Sequence, residues 1–190
     1  MAGQFPFRLP PTEPIFVGFA GRMGAGKTSA ARYLSSKYGL QYRRYSQVLQ
    51  EWFSADAADR ARLQKIGWDI MAGGLQEELN SRLIAGLDHS RGAVIDGLRH
   101  RIDFDRLATA FGDSFRLIFL EAPQDYRFGR LRSRFSTIDE FQAADSHPVE
   151  ANIDTLRLVA SLIIPGDEPL ESLYQRLDAW IDACAFGDHK

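Results

Sequence analysis

The sequence predicts an α/β protein with a three-layer α/β/α fold, in which helices cover both faces of a parallel five-stranded sheet. Two observations lead to this prediction. Short apolar runs alternate along the chain with longer segments of helical character, an order typical of a parallel sheet with crossover helices. The first apolar run is followed at once by a glycine-rich turn and the start of a helix, as in a strand–loop–helix unit.

Five segments are predicted to be strands. Most of them are short and apolar, and the first and fourth are almost wholly so, which is typical of strands buried on both faces. The second is more polar and is the weakest of the five. In chain order the predicted strands are Ile15–Ala20, Gln41–Tyr45, Ala93–Asp96, Phe115–Leu120 and Leu162–Ile164.

The predicted helices lie between and after these strands. Ser46 is expected to cap the second helix, and Gly73 and Gly74 should divide the segment 58–87 into two pieces. Pro123 suits the start of a helix to about Arg134, and residues 135–150 are expected to be irregular. The remaining helices are predicted at Lys27–Tyr38, Phe104–Phe111, Leu156–Ala160 and Pro169–Ala185.

The composition is that of one folded domain. The chain has 190 residues, of which 45% are hydrophobic and 25% charged, close to the average of soluble globular proteins. This excludes a mainly disordered chain, a collagen-like repeat and a disulfide scaffold. Four prolines within residues 1–14 predict an extended arm, and residues 15–190 are expected to form a single domain.

The net charge and the cysteine content limit which binding partners and which cellular compartment are expected. The net charge of −2 gives no basic excess that would favour nucleic acid or an anionic membrane as a partner. Cys184 is the only cysteine, so no internal disulfide can form, as expected in a reducing cytoplasm. The N-terminus lacks the pattern of a secretory signal, and no apolar run approaches the ~20 residues of a membrane span. We therefore expect a cytoplasmic protein.

The strongest functional signal is the run from Gly21 to Thr28, GRMGAGKT, which satisfies G-x-x-x-x-G-K-[ST] in full. Glycines let successive backbone N–H groups turn inward around phosphate oxygens, and the following helix adds its positive N-terminus. The lysine can reach the β- and γ-phosphates of ATP, and the threonine hydroxyl can bind Mg²⁺. The expected ATP-binding residues are Gly21, Met23, Gly24, Ala25, Gly26, Lys27, Thr28 and Ser29.

A second signal is Asp96, which ends the apolar run Ala93–Asp96. A carboxylate at a strand end beside a phosphate-binding loop usually serves the magnesium ion of the nucleotide. Asp96 and Thr28 are therefore the predicted metal ligands.

Several classes of nucleotide-binding protein do not fit. No aspartate has a glycine three residues later and no asparagine precedes a lysine, so the D-x-x-G and N-K-x-D motifs of GTPases are missing. The chain lacks the Ser-Gly-Gly-Gln core of ABC transporters and is short for an ABC or AAA+ module. A compact small-molecule kinase remains.

Arginines in two places support a kinase. Arg99 lies three residues beyond Asp96, and Arg127, Arg130 and Arg134 have the spacing of one helical stripe. Guanidinium groups brought over a phosphoryl group would stabilise the charge of its transition state. A solvated basic face is the alternative interpretation of the stripe.

The order of these motifs resembles the P-loop nucleoside monophosphate kinase superfamily, which includes adenylate kinases, deoxynucleoside monophosphate kinases and dephospho-CoA kinases. The similar features are the P-loop, a long helical segment, Val94-Ile-Asp-Gly-Leu-Arg99, a strand ending Glu121-Ala-Pro123, and an Arg-x-x-x-Arg pair. The resemblance spans about residues 15–180. It implies the P-loop NTPase fold with a helical lid, at about residues 127–150.

The resemblance also implies roles for individual residues. Asp96 would hold Mg²⁺ or its waters, and Arg99 would grip the phosphate of the acceptor, although the chain is one residue shorter there. Arg130 and Arg134 would be the lid arginines that close on the transferred group. Ser46 is similar to the serine that opens the acceptor-binding segment of deoxynucleotide kinases, or else it only caps a helix.

The predicted lid departs from that of adenylate kinases. Four zinc-binding cysteines and a late Arg-Arg pair are missing, and Ala144-Asp-Ser-His-Pro-Val-Glu150 stands in their place. His147 and Glu150 are either lid contacts or plain loop residues. The lid therefore does not identify the acceptor.

The expected reaction is transfer of the γ-phosphoryl group of ATP to a small-molecule acceptor, first of all a ribo- or deoxynucleoside monophosphate. One alternative is a hydroxyl acceptor such as dephospho-CoA, for which Asp96 would be the candidate base. Another is an ATP-dependent switch with weak hydrolysis and no small acceptor. A polynucleotide 5′-hydroxyl kinase fits least, because the chain has no basic patch.

Overall fold

Five parallel strands form one sheet in the order β2-β3-β1-β4-β5. The structure is a computed structural model, and it describes residues 13–186. Each predicted strand is confirmed, with ends that differ by at most two residues. The strands are β1 (Phe16–Ala20), β2 (Gln41–Arg44), β3 (Ala93–Leu98), β4 (Phe115–Glu121) and β5 (Leu162–Pro165).

Helices cover both faces of the sheet, as the predicted three-layer fold requires. One core joins the sheet to α2–α5 and the other joins it to α1 and α9. None of the helices in the described part of the chain is long and apolar enough to cross a membrane. The helices are α1 (Lys27–Tyr38), α2 (Tyr45–Phe53), α3 (Arg60–Ala72), α4 (Gln76–Ala85), α5 (Arg101–Phe111), α6 (Gln124–Arg130), α7 (Ile138–Asp145), α8 (Pro148–Ala151) and α9 (Leu170–Phe186), with 3₁₀ helices at Gly112–Ser114 and Ile153–Val159.

The register of β1 and β3 places Asp96 beside the start of the phosphate-binding loop. Phe19 pairs with Asp96, and the register then shifts so that Ala20 pairs with Leu98. The extra residue is Gly97, whose φ of +94° is a conformation that suits glycine. Because the strands are parallel, their carboxyl ends meet at one edge, where ligands bind in open α/β sheets.

Several element boundaries differ from the predictions. Tyr45 begins α2 rather than ending β2, so Ser46 is the second residue of that helix and not its cap. The predicted helix Leu156–Ala160 is instead the end of a 3₁₀ helix that stops at Val159, with Ala160 as its cap. Of the predicted arm, residues 1–12 lie outside the described residues, and the single-domain division stays a prediction.

The segment 127–150, which we call the lid segment, is helical where an irregular chain was predicted. Thr137 and Glu140 form a reciprocal capping box that starts α7, and their Thr-x-x-Glu spacing is visible in the sequence. The helix from Pro123 was predicted to reach Arg134, but α6 ends at Arg130. The predicted arginine stripe along one helix is therefore wrong, and Arg134 follows the helix in a turn.

Arg127 ties the lid segment to the rest of the fold. It is 4% exposed, and its guanidinium makes a bidentate pair with Asp145 of α7, at 2.6 and 2.8 Å. It also donates to the carbonyl oxygens of Ala122 and Met23, at 3.1 and 3.2 Å. Through these contacts, Arg127 holds α6, α7 and the phosphate-binding loop together.

A salt bridge with aromatic partners joins α1 to α9. Asp178 accepts hydrogen bonds from the hydroxyls of Tyr33 and Tyr38, at 2.7 and 2.9 Å, and from the ammonium group of Lys37 at 2.6 Å. The hydrogen bonds from these three donors outweigh partial burial and lower the pKa of Asp178.

Arg127→Met should lower the free energy of unfolding by about 3 kcal/mol, because it leaves the buried Asp145 carboxylate without its main partner. Urea unfolding measures the loss. Arg62→Met, a matched change on the exposed side of α3, should cost less than about 0.5 kcal/mol. Equal stability of the two variants would contradict the role given to Arg127.

Asp178→Asn should destabilise the protein at pH 7 by about 1–2 kcal/mol, since the two tyrosines and the lysine lose their charged acceptor. The folded pKa of Asp178 is lowered, so its contribution is present above the unfolded value and is lost as pH falls through the folded one. Stability measured from pH 7 to pH 2 should show the gap between wild type and variant closing in acid. A gap that does not narrow as the pH falls from 7 to 2, or that is no larger at pH 7 than the gap of Asp167→Asn in an exposed loop, would contradict this.

Candidate functional site

The phosphate-binding loop runs from the end of β1 to the start of α1. Gly21 has a φ of +135° and packs so closely on β4 that a Cβ atom would lie 2.2 Å from the carbonyl oxygen of Leu120. Only glycine fits there. The loop then turns so that α1, beginning at Lys27, directs its positive N-terminus at the space enclosed by the loop.

Lys27 is folded back over this loop. Its ammonium group donates to the carbonyl oxygens of Gly21 and Arg22, at 2.5 and 2.9 Å. Burial lowers the pKa of Lys27 to about 8, against the opposing influence of Glu150 and Asp96. A buried ammonium group with incomplete charge compensation suits an anionic ligand such as phosphate.

Thr28 and Asp96 meet beneath the loop. The Thr28 hydroxyl donates to Asp96 Oδ2 at 2.8 Å, and Tyr42 donates to the same oxygen at 2.8 Å. Arg44 Nε lies 3.5 Å from it. Asp96 is 3% exposed, and burial, followed by its negative charge, raises the pKa of Tyr42.

These oxygens fit Mg²⁺, a hard cation that prefers oxygen ligands and keeps several waters. In residues 13–186 no cluster of three or more His, Cys, Asp or Glu side chains could hold a metal by itself. Metal binding by Thr28 and Asp96 stays a prediction, in which nucleotide phosphates and water would supply the other oxygens.

A cavity of about 230 Å³ opens from the loop toward α2, α3 and α4. Its charged and titratable lining comprises Lys27, Arg44, Asp96, Arg99, His100, Asp103, Arg134 and Glu150. The rest of the lining includes three leucines and several neutral polar side chains: Leu49, Leu63, Leu79, Tyr45, Ser46, Gln64 and Gln76. Charged groups, apolar groups and neutral hydrogen-bonding groups therefore share this cavity.

Most of the predicted site residues meet at this cavity. Met23, Gly24, Lys27 and Thr28 line it from the donor side, and Ser46, Asp96, Arg99 and Arg134 from the other sides. The structure thus brings the predicted donor and acceptor residues together.

Other predicted residues lie apart from the cavity. Arg130 lies over the loop instead, where its Nη1 is 3.4 Å from the carbonyl oxygen of Gly24. Ala25 is buried in the core beneath the loop, and Ser29 is exposed on the first turn of α1. Gly21 and Gly26 shape the loop through their backbone conformations.

Sequence reasoning missed Arg44. It ends β2 at the same edge of the sheet as Asp96, with which it pairs in register. The signal was present, since a charged residue at the carboxyl end of a predicted parallel strand is expected to face the site.

Sequence reasoning also missed the network around Asp103. One oxygen of Asp103 accepts from Gln76 and Asn80, at 2.6 and 3.0 Å. The other accepts the backbone N–H groups of Arg99 and His100, at 3.1 and 3.0 Å. Asp103 therefore fixes the backbone that presents Arg99, and burial lowers the pKa of the neighbouring His100.

Solved structures with similar folds include two kinases and an uncharacterised protein. Shikimate kinase from Acinetobacter baumannii is 15% identical with a TM-score of 0.55, over 95% of this chain and 97% of its own. A gluconokinase from Sinorhizobium meliloti 1021 is 14% identical with a TM-score of 0.51, over 91% and 94%. An uncharacterised protein from Eubacterium ventriosum is 11% identical with a TM-score of 0.59, over 90% and 99%.

At these identities the comparisons establish the fold, and they confirm the predicted three-layer P-loop fold and its resemblance to P-loop kinases. No curated protein matches the sequence.

A family model described as "AAA domain" matches residues 17–147, from β1 into the lid segment. The argument from length against an AAA+ module does not apply to this family, because its model fits within the chain. The match covers more than half of the sequence, and the protein therefore belongs to the AAA domain family.

Proposed function

We propose that the protein is an ATP- and Mg²⁺-dependent kinase that transfers the γ-phosphoryl group to a small anionic molecule. One observation carries this proposal. The phosphate-binding lysine and the Thr28–Asp96 pair open directly into a cavity that is also lined by Arg44, Arg99 and Arg134. A donor site and a cationic acceptor site joined in one cavity are what in-line phosphoryl transfer requires.

On the donor side, the loop backbone and Lys27 would bind the β- and γ-phosphates. Lys27 would exchange its hydrogen bonds with Gly21 and Arg22 for phosphate oxygens, which compensate its charge better than carbonyl groups do. Thr28 and Asp96 would hold Mg²⁺, which neutralises charge on the β- and γ-phosphates.

In the transfer step an oxygen of the acceptor attacks the γ-phosphorus while the bond to the β-phosphate oxygen breaks. The displaced electron pair stays on ADP. Arg134, and Arg130 if it moves inward from Gly24, would stabilise the charge of the transferred group. The lid segment would exclude water, which otherwise competes with the acceptor.

A ribo- or deoxynucleoside monophosphate is our first candidate for the acceptor. Arg44 and Arg99 suit its phosphate, and the apolar and hydrogen-bonding wall around Leu49, Tyr45 and Gln64 suits a base. A phosphate acceptor is already ionised, so this reaction needs no catalytic base.

A compact hydroxyl-bearing anion is the second candidate, which the small cavity volume of about 230 Å³ favours. Two proteins of similar fold are named shikimate kinase and gluconokinase. Asp96 remains the proposed base for such an acceptor. An ATP-dependent switch is a third possibility, and the arginine variant described below distinguishes it from a kinase.

The direct test is ADP release from Mg·ATP, alone and with each ribo- and deoxynucleoside monophosphate, dephospho-CoA, shikimate and gluconate. We expect one acceptor to accelerate release. Lys27→Ala should reduce that accelerated rate by about 100-fold or more, because transition-state charge loses its nearest cation. Slow release that no acceptor changes would contradict the kinase proposal.

Arg134→Ala should lower acceptor-dependent turnover by about 100-fold and leave Mg·ATP affinity within about two-fold. Arg132→Ala is the matched control, because Arg132 lies in the same turn but stacks on Phe128, 4.3 Å from the ring centroid. Equal acceptor-dependent turnover of both variants would contradict the role given to Arg134. A switch would instead show no acceptor-dependent turnover, and both variants would keep its ATP binding and slow hydrolysis.

A further inference from the structure

Three carboxylates line the cavity, and two of them are held by several donors of the protein. Asp103 accepts from four donors. Asp96 accepts from Thr28 and Tyr42 and lies close to Arg44. The third carboxylate, Glu150, differs from both.

Glu150 is held by a single partner. It comes from the short helix α8 at the end of the lid segment and is 1% exposed. Its Oε1 pairs with Nη1 of Arg99, whereas no described residue donates to the buried Oε2. The pairing of Glu150 is therefore incomplete in this conformation. Leaving a buried polar atom such as Oε2 unpaired costs about 1–3 kcal/mol.

Contacts of the lid segment keep Glu150 in this place. Helix α8 packs against α3, and the ring of His147 lies edge-on to Trp68 of α3, with 6.0 Å between the ring centroids. Among the carboxylates near Lys27, Glu150 has the largest effect in raising the pKa of that lysine. The carboxylate and the lysine that would contact the γ-phosphate line the same cavity.

Arg99 is the cation that forms a salt bridge with Glu150. Its side chain is 40% exposed, and its backbone is fixed by Asp103, so the guanidinium is available at a defined place. The pair therefore puts an anion of this chain on Arg99, in a cavity that its arginines and Lys27 otherwise suit to an anionic ligand.

We propose that the Glu150 carboxylate takes the place, on Arg99, of an anionic group of the acceptor, and that acceptor binding displaces it. This inference rests on the proposed kinase function. The incoming group is a phosphate monoester or a carboxylate, and a phosphate offers more oxygens and more charge to Arg99 than Glu150 does. Until it arrives, Glu150 takes up part of the cavity that water would otherwise enter.

The test compares ADP release from Mg·ATP without acceptor in wild type, Glu150→Gln and Glu140→Gln. Glutamine keeps the size of Glu150 but loses the charge that holds it on Arg99. We expect Glu150→Gln to release ADP about ten-fold faster than wild type, since water gains access. Glu140→Gln, a lid change on an exposed residue outside the cavity, should match wild type.

Glu150→Asp provides a second variant that keeps the negative charge. Its side chain is one methylene shorter, so it should hold Arg99 less well and also speed ADP release. Unchanged release in both Glu150 variants would overturn the inference. Slower release in both would also overturn it and would indicate that the carboxylate assists the attacking group instead.

Mg·ATP affinity, measured by calorimetry on the same proteins, separates this inference from the function it rests on. Failure of all of them to bind Mg·ATP would overturn the proposed function and the inference with it. Normal binding with no difference in ADP release would overturn the inference alone.

Discussion

The hydrogen bond between Thr28 and Asp96 is the contact on which the site depends. It joins the first turn of α1 to the end of β3, and it forms only because β1 and β3 are parallel neighbours with their carboxyl ends at one edge. The register shifts at Gly97, and the residues that follow β3, Arg99 and His100, line the cavity proposed for the acceptor. Donor site, metal-binding oxygens and acceptor cavity are thus placed by a single strand pairing.

Four arginines around the site fall into two pairs with different roles. Arg127 and Arg22 are held by Asp145, and Arg22 also by Asp154 at 2.7 Å, so they fasten the lid segment to the loop. Arg44 and Arg99 line the cavity beside carboxylates that a ligand or metal could engage. Since burying a cation near Lys27 is costly without an anion, these pairings compensate part of the positive charge that lines the cavity, and substrates would compensate the rest.

Local sequence patterns predicted the sheet, the loop and α1, because apolar runs and the G-x-x-x-x-G-K-[ST] spacing depend on neighbouring residues alone. Asp96 was predicted for the same reason, as the end of an apolar strand. The burial of Arg127 and its pairing with Asp145 were not predicted, because the two residues are 18 positions apart and spacing along a helix does not show burial. Glu150 was left between two interpretations, since its pairing with Arg99 across 51 residues exists only in the folded chain. The capping box at Thr137 was readable but competed with a polar composition that is typical of loops.

Calorimetric titration of ATP into wild type and Asp96→Asn, each with and without Mg²⁺, tests the central claim most directly. Asparagine keeps the shape of Asp96 and can still accept from Thr28, but it lacks the charge that a magnesium ion requires. We expect Mg²⁺ to strengthen ATP binding to wild type by about ten-fold or more, and we expect Asp96→Asn to lose most of this gain with little change in metal-free affinity. The same gain in both proteins, or no ATP binding by wild type, would contradict it.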